Sequence, residues 1–236
     1  KDADAHKIVT GQPLYGIDTR KEGMMYAMVA RPPAYGKTLG SVDDAAALKV
    51  NGVKQVVKLK NSVAVVATST WAAKKGREAL VIQWEAKEKL ENSAEHFVAF
   101  KEMIDKGTNP SRTDGDWEAA KQKATKFLDV TYELPTLSHG QMEPLNFYAD
   151  VQNGKAELFG PTQVPDAVRK QVAEQLKIAE DKITISSPRQ GGGFGRKLMT
   201  DNGVEAALIS AAAKCPVQVQ WTREDDMQND FYRPAE

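Results

Sequence analysis

The segment Gln190–Lys197 carries four glycines in the five positions from Gly191 to Gly195. Because glycine lacks a Cβ, a ligand can approach the main-chain N–H groups of such a segment to hydrogen-bonding distance. If these groups converge at the start of a following helix, they form a concavity that favours anions or electron-rich oxygens. The segment therefore predicts a cofactor-binding loop. The alternative is a tight strand-to-helix corner that binds no ligand.

Two familiar glycine loops do not match this segment. A dinucleotide-binding fingerprint that starts at Gly191 requires a glycine at the position of Arg196. A phosphate-binding P-loop requires glycine directly before its lysine and Ser or Thr after it, whereas Arg196 precedes Lys197 and Leu198 follows. A nucleotide-binding enzyme therefore stays only as an alternative.

Two further segments combine several functional groups, and both precede the glycine loop. They are Ser138–Pro144 and Pro161–Gln163. In the first of them, His139 and Glu143 are predicted to pack the loop, since no role as a base can be assigned to either. The acidic pair Asp225–Asp226 follows a predicted strand, and such a pair is typical of a solvated turn.

The elements that position these loops are predicted from hydrophobic periodicity and turn signals. In the second half of the chain, the predicted strands are Phe127–Leu134, Asn146–Gln152, Lys155–Phe159, Ile183–Ile185 and Val217–Trp221. Helices are predicted after Asp116 as a cap, from Pro165, and between the glycine loop and Pro216. Asn153-Gly154 is the strongest short hairpin signal in the chain.

The first part of the chain is predicted to be an α+β unit with the element order β, α, β, β, α, β. Its strands are predicted within residues 16–30 and at Val53–Leu59, Val63–Ala67 and Val81–Trp84, and its helices within 41–50 and 71–80. A possible Ser93 cap then precedes an amphipathic helix, because Phe97, Phe100 and Ile104 recur on one helical face. This organisation predicts a domain at 1–85, a linker with a helix at 86–115 and a second domain at 116–236.

Composition excludes several classes of function. The 236 residues include 32 basic and 32 acidic ones, interspersed, so no surface for nucleic acid or an anionic membrane is predicted. No apolar run approaches the length of a transmembrane helix. The lone Cys215 is predicted to be a small buried residue, and one thiolate cannot hold an iron–sulfur or cysteine-based zinc site. Any metal is therefore expected to arrive inside a cofactor.

Several motifs occur in a fixed order along nearly the whole chain. They are Gly16–Asp18, Arg31–Pro33, Trp71–Ala73, Ser138–Pro144, Pro161–Gln163, Gln190–Lys197, Trp221–Asp225 and Phe231–Pro234. This set resembles the molybdenum-cofactor subunit of the xanthine dehydrogenase and aldehyde oxidase family, and is most similar to the isoquinoline 1-oxidoreductase large (beta) subunit and related bacterial aldehyde dehydrogenases. The resemblance implies an α/β-hammerhead domain followed by the first part of a molybdopterin-binding α+β domain, as a fragment of a longer subunit.

The resemblance also implies roles for individual residues. Gly192, Gly193, Phe194 and Gly195 match the loop that lies against the molybdenum ligands, with Phe194 beside the metal. Gln163 matches the glutamine that hydrogen-bonds an oxo group on the metal. Main-chain N–H groups and an amide NH₂ suit this task, because they donate to oxo and dithiolene acceptors without bringing a competing charge.

Two departures from the family limit what the resemblance implies. Xanthine-specific members place a glutamate just after the lysine of the loop, whereas this chain has Leu198, which argues against a purine substrate. The glutamate that serves the family as catalytic base lies near the end of a much longer subunit, so no catalytic residue is assigned within residues 1–236, and the base is expected beyond Glu236.

The expected function is part of a molybdenum hydroxylase that oxidises an aldehyde or N-heterocycle with water-derived oxygen. The resemblance implies a molybdopterin, in its cytosine dinucleotide form, and electron transfer to an iron–sulfur subunit or a cytochrome. It leaves the compartment open between bacterial periplasm and cytoplasm, with the periplasm slightly favoured. The isolated fragment is expected to be inactive. The alternatives are a non-catalytic binding or assembly module with a structural glycine corner, and a nucleotide-binding enzyme.

Overall fold

The computed structural model describes residues 3–107 and 109–236. Thr108, in the predicted linker, and the first two residues of the predicted first domain lie outside the described residues. The chain divides into two compact units, one made of residues 1–88 and 138–231 and the other of residues 89–137 and 232–236. The predicted domain boundaries at 85/86 and 115/116 stay predictions.

The first unit contains the strands of the described chain. They are β1 (Met25–Ala30), β2 (Lys37–Asp43), β3 (Val53–Lys58), β4 (Val63–Ala67), β5 (Val81–Ala86), β6 (Asn146–Gln152), β7 (Lys155–Phe159), β8 (Ile183–Ser186) and β9 (Val217–Gln220). Seven of them form one sheet in the order β3-β4-β1-β9-β6-β7-β8, and β2 pairs with β5 in a second sheet. The larger sheet therefore joins strands from both halves of the sequence.

The larger sheet is mostly antiparallel. Only the β1–β9 and β7–β8 pairs are parallel, and the other four neighbouring pairs are antiparallel. The β6–β7 pair closes from Gln152 opposite Lys155, with Asn153 and Gly154 between them at φ angles of 51° and 71°. Positive φ at both central residues is the two-residue turn that matches the twist of a hairpin. The hairpin predicted from Asn153-Gly154 is confirmed.

Helices cover the sheet of the first unit. They are α1 (Ala5–Val9), α2 (Thr70–Glu78), and, after α3 (Ser93–Lys106) and α4 (Trp117–Lys123) of the second unit, α5 (Pro165–Leu176), α6 (Asp201–Ala213) and α7 (Arg223–Gln228). Helices α5 and α6 pack against each other, and α6 lies on β6. Val168 and Val172 of α5 are fully buried, and Leu176 packs partly buried against the same core.

The helix predicted within residues 41–50 is wrong, because this segment forms the end of β2, a turn and a 3₁₀ turn. Residues 41–50 have a capping residue and good helix formers, but Val42 and Asp43 lie in β2 and pair with Ile82 and Val81 of β5. Only Ala47–Lys49 forms a single 3₁₀ turn. The element order in this part is therefore β, β, β, β, α, β, because pairing with β5 outweighs a weak helix propensity.

The second unit is mostly helical and irregular. Helix α3 begins after Asn92, whose side chain accepts the N–H of Glu95, so the predicted cap at Ser93 is wrong by one residue. Helix α4 begins after Asp116, as predicted. The predicted strand Phe127–Leu134 is absent, because within the described residues no neighbouring strand pairs with Phe127–Glu133.

No helix in the described part of the chain combines the length and the apolar character that crossing a membrane requires.

Candidate cofactor-binding site

The glycine loop connects β8 to α6, as predicted. It leaves the strand after Ser186 and ends in a 3₁₀ turn at Arg196–Leu198. Gly192 and Gly195 have φ angles of 91° and 102°, which side chains with a Cβ rarely adopt. These two glycines are therefore required by the path of the main chain.

The N–H groups of the loop fall into two sets. The N–H of Gly191 donates to Glu143 Oε2 at 2.8 Å, and that of Arg196 donates to the carbonyl of Gly193 at 2.8 Å. Between them, the four consecutive N–H groups from Gly192 to Gly195 donate to no protein acceptor among the described residues. Four donors in a row thus remain available to a ligand.

Gln163 lies directly beside this loop. Its main-chain N–H donates to the carbonyl of Lys197 at 2.9 Å. A Cβ placed on Gly193 would meet Gln163 Oε1 at 2.7 Å, so the amide fills the space that a side chain at this position would need. The amide of Gln163 is exposed and makes no hydrogen bond within the described chain. The structure therefore brings together the two segments that the sequence singles out.

The position of Gln163 follows from the end of β7. Gly160 packs against Phe147 of β6 so closely that a Cβ there would lie 2.4 Å from the ring. Pro165 then starts α5, so the intervening residues turn sharply. The carbonyl of Thr162 accepts the side-chain N–H of Gln190 at 2.7 Å, which ties the turn to the glycine loop.

Glu143 anchors the loop from below. Its carboxylate pairs with the ammonium of Lys197 at 2.9 Å, and both side chains are almost completely buried. The same carboxylate accepts the N–H groups of Gly191 and Ile17 and the amide of Asn146. The N–H of Glu143 in turn donates to the carbonyl of Gly191 at 3.0 Å. The prediction that Glu143 packs the loop is confirmed. Its negative charge is neutralised by Lys197, and both of its carboxylate oxygens accept hydrogen bonds from the protein.

His139 belongs to a second network beneath the loop. Its Nδ1 lies 3.0 Å from the buried carboxylate of Asp230, which also accepts the main-chain N–H of His139 and the hydroxyl of Ser138. Burial acts to raise the pKa of Asp230, but these hydrogen bonds hold it below its usual value. The Nε2 of His139 faces Gly195, at 3.6 Å from the position of a Cβ there. His139 therefore packs against the loop, as predicted.

Arg196 connects Asp230 to the start of α6. Its guanidinium makes two hydrogen bonds to Asp201, at 2.9 and 2.7 Å, and its Nε lies 2.9 Å from Asp230. Burial acts to lower the pKa of Arg196, but Asp201 and then Asp230 keep it above its ordinary value. The cations under the loop are thus neutralised by their own partners and leave no free charge for a phosphate.

The acidic pair at 225–226 is not a solvated turn, so this prediction is wrong. Both residues lie in α7, where Asp225 caps the helix with Thr222 and pairs with Arg77 at 2.5 Å. Asp226 is buried and accepts the amide of Gln141 at 2.8 and 3.0 Å. Burial raises the pKa of Asp226, because it penalises the charged form. These carboxylates hold the chain in place and are committed to protein partners.

Phe194 is the one bulky side chain of the loop, and it is 70% exposed. Its φ angle of 52° is uncommon for a phenylalanine and aims the ring away from the core. An exposed aromatic ring held by a strained main chain is suited to apolar contact with a ligand.

Other candidate residues do not contribute to this site. Cys215 is half-buried at the end of α6, where burial raises the pKa of its thiol. The described residues contain no group of three His, Cys, Asp or Glu side chains placed to hold a metal ion. A separate cavity of about 290 Å³ contains Arg31, Glu205 and Trp221 in its wall. Two of its charged groups are paired with each other, since Arg31 binds Glu205 and stacks on Trp221.

The donor set fits a pterin-bound molybdenum cofactor. Such a group presents neutral or anionic oxygen and sulfur acceptors, and the loop offers four N–H groups and one amide without a net charge. The sequence identifies these donors but not the network below them. No local signal marks Asp230, although it directly precedes the Phe231–Pro234 motif, and Arg196 belongs to the Gln190–Lys197 motif without a predicted role of its own.

This chain belongs to the molybdopterin cofactor-binding domain family, whose model matches residues 100–235, more than half of the chain. Among curated relatives, it is 32% identical to isoquinoline 1-oxidoreductase subunit beta of Brevundimonas diminuta, over 100% of this chain and 32% of the relative. It is also 32% identical to the membrane-bound aldehyde dehydrogenase [pyrroloquinoline-quinone] of Gluconacetobacter polyoxogenes, over 99% of this chain and 32% of that protein. The chain thus spans about a third of the length of these relatives.

The fold agrees with this assignment. Quinoline 2-oxidoreductase from Pseudomonas putida 86 superposes with a TM-score of 0.73 at 20% sequence identity, over 95% of this chain and 34% of that one. The mixed α/β architecture with a mostly antiparallel sheet is therefore shared with a solved oxidoreductase.

Proposed function

We propose that this chain forms part of the molybdenum-cofactor site of an enzyme that hydroxylates an aldehyde or an N-heterocycle with water-derived oxygen. The observation that carries the proposal is the set of unused donors at Gly192–Gly195, with the free amide of Gln163 in contact with Gly193. The family assignment supports the same cofactor.

Different residues of the chain would hold the cofactor in different ways. The N–H groups of Gly192–Gly195 and the amide of Gln163 donate to its acceptor atoms, and Phe194 covers it on one side and excludes water. Glu143 and Lys197 fix the loop in the conformation that presents these donors. When bound, the cofactor supplies the metal centre that accepts electrons from the substrate carbon. Glu143, Asp226 and Asp230 are bonded to protein partners, and we propose that the catalytic base is a glutamate outside residues 1–236.

Finer details of the proposal rest on the family resemblance. We propose the cytosine dinucleotide form of the pterin, and an iron–sulfur subunit or a cytochrome as the electron acceptor. The name of the Brevundimonas relative as a subunit supports an assembly of several chains. We also propose that residues 1–85 correspond to an α/β-hammerhead domain, that the second domain starts near residue 116, and that the enzyme acts in the bacterial periplasm.

One relative suggests a competing cofactor. The name of the Gluconacetobacter protein attaches pyrroloquinoline quinone to it. A quinone that carries three carboxylates calls for cationic partners, whereas Arg196 and Lys197 are buried and already paired. The uncharged donor set therefore suits the oxo and dithiolene end of the pterin cofactor, which is the part that the loop would contact, better than it suits three carboxylates.

The direct test is the cofactor content of the full-length protein, purified with its partner from cells able to make molybdenum cofactors. We expect about one molybdenum atom and one pterin per chain, measured by elemental mass spectrometry and by fluorescence of the oxidised pterin. A protein that contains neither, or that contains pyrroloquinoline quinone instead, would contradict the proposal.

A second test uses Gln163→Ala in the same protein. Because this amide is exposed and binds no protein group, the melting temperature should stay unchanged. In other enzymes, removing one hydrogen-bond donor to a group that gains charge during the reaction lowers kcat roughly 10²–10³-fold. We expect Gln163→Ala to lower kcat by a factor of that order. Gln175→Ala, at an exposed position of α5, is the matched control and should retain wild-type turnover.

The two alternatives make different predictions for the loop. A nucleotide-binding enzyme should show slower hydrogen exchange of Gly192–Gly195 when ATP or NAD is added, and we expect no change. If the loop is only a structural corner, replacing Gly193 should affect nothing but stability, whereas in a cofactor site the replacement should lower the molybdenum content.

A further inference from the structure

The second unit contains a short antiparallel ladder between residues 134–137 and residues 233–236. Leu137 and Arg233 exchange both main-chain hydrogen bonds, at 3.3 and 2.8 Å. Leu134 and Glu236 do the same, at 2.8 and 3.0 Å. Each segment advances by three residues between the two pairs, whereas hydrogen-bonded pairs of a regular antiparallel ladder recur every two residues. The ladder is therefore irregular where Pro135 and Pro234 lie, and its register beyond Glu236 follows from the Leu134–Glu236 pair alone.

The residues before Leu134 have the pattern of a strand that lacks its partner. Leu128, Val130 and Tyr132 alternate with polar residues, as on the two faces of a half-buried strand. Their side chains are nevertheless 89, 63 and 83% exposed. Within the described chain, the main-chain groups of Phe127–Glu133 make no hydrogen bonds. Such a row of unpaired groups beside apolar side chains is a template for another strand.

The register of the ladder identifies which segment would lie opposite this row. Hydrogen-bonded pairs alternate along an antiparallel ladder, and Leu134–Glu236 is such a pair. Tyr132, Val130 and Leu128 would therefore face the second, fourth and sixth residues after Glu236. Thr131 would face the third, in a pair that is not hydrogen-bonded.

We propose that, in the full-length protein, the segment that directly follows Glu236 pairs with Phe127–Glu133 and completes an antiparallel ladder. The chain spans about a third of the length of its relatives, so a full-length protein of their size provides further residues. A segment that follows Glu236 directly is already in register, since Glu236 is bonded to Leu134. A strand from a partner or from a second copy would have to compete with it for the same edge. The proposal is independent of the cofactor.

The first test is residue-resolved hydrogen exchange of the full-length protein. The N–H groups of Leu128, Val130 and Tyr132 should be protected at least about 100-fold more than those of Asp129 and Thr131, which point to the other edge. Uniformly fast exchange from Phe127 to Glu133 would overturn the proposal. So would protection that appears only when a partner subunit is added or when the protein concentration is raised.

The second test is a disulfide scan in a Cys215→Ser background, where the one cysteine of this sequence is removed. Thr131→Cys is combined with a cysteine at the third residue after Glu236, because Cα atoms of such pairs lie about 4.5 Å apart, within reach of a disulfide. The control places the second cysteine at the fourth residue after Glu236, which faces the opposite side. We expect the crosslinked peptide from the first pair only. Equal yields from both pairs, or no crosslink from the first, would overturn the proposed register.

Discussion

The carboxylate of Glu143 and the ammonium of Lys197 form an ion pair 2.9 Å apart, in which neither side chain is exposed by more than 4%. The pair joins the Ser138–Pro144 loop to the end of the glycine loop. Glu143 also accepts the N–H of Gly191, so one carboxylate holds both ends of the glycine loop. The shape of the candidate site thus depends on a buried ion pair at the two ends of the loop.

Glu143→Gln should therefore destabilise the protein strongly. The substitution leaves the ammonium of Lys197 buried without a counter-charge, and breaking a buried pair in this way costs about 3–5 kcal/mol. The measurement is the free energy of unfolding in urea. Glu78→Gln, which breaks the exposed pair with Lys75, is the control and should unfold like the wild type.

The double variant Glu143→Gln with Lys197→Met separates charge from packing. If the uncompensated charge causes the loss, removing it should restore more than half of the stability. A double variant no more stable than Glu143→Gln would show instead that the hydrogen bonds of Glu143 to Gly191 and Ile17 carry the effect.

Two glycines of the loop should respond differently to alanine. A Cβ on Gly193 would meet the flexible end of the Gln163 side chain, whereas a Cβ on Gly191 would lie 2.4 Å from the Cβ of Glu143, which cannot move. We expect Gly193→Ala to change stability by less than about 0.5 kcal/mol but to lower the molybdenum content several-fold. Gly191→Ala should cost about 1–3 kcal/mol. Equal losses of stability in both variants would contradict the proposed division of roles.

How far the sequence predicts the structure can be seen at particular residues. Local signals succeed where the local chain decides the outcome, as at Asn153-Gly154, at the Asp116 cap of α4 and at Pro165 of α5. They fail at Val42, because its strand depends on pairing with Ile82, forty residues away in the chain.

The candidate site shows the same limit. The glycines and Gln163 are recognisable because their types and order match a family. Asp226 and Asp230 cannot be recognised in this way. The residues next to an aspartate in the sequence do not show whether it lies on an exposed turn or is buried by residues far away in the chain. The partners of the two aspartates, Gln141 and His139, lie more than eighty residues earlier, so only the fold reveals that both carboxylates are structural.

Phe194→Ala tests whether the exposed ring serves a ligand. Because the side chain is 70% exposed, its removal should change the free energy of unfolding by less than about 0.5 kcal/mol. We expect faster loss of cofactor on dialysis of the full-length protein, followed as molybdenum content over time. Trp71→Ala, at a ring of α2 that is 64% exposed, is the control. Equal rates of loss in the wild type and Phe194→Ala would contradict a role for the ring.

The carboxylates of Asp230 and Asp226 should affect the pH dependence of stability with opposite signs. The pKa of Asp230 is lower in the folded chain than its usual value of 3.8, so the unfolded state binds its proton more tightly. Its contribution to stability is present above about pH 4 and is lost as the pH falls further, through the folded pKa. The pKa of Asp226 is raised by burial, so its contribution is present below about pH 4 and is lost as the pH rises through its folded pKa.

Asp230→Asn should therefore lower the stability at neutral pH and flatten its loss below about pH 4. Asp226→Asn removes a group whose deprotonation lowers stability as the pH rises. Above about pH 4, the free energy of unfolding of this variant should therefore rise more steeply with pH, or fall less, than that of the wild type. The measurement is the free energy of unfolding in urea at intervals between about pH 3 and pH 7. Asp230→Asn with an unchanged acid limb would show that its carboxylate is not held ionised by His139 and Ser138.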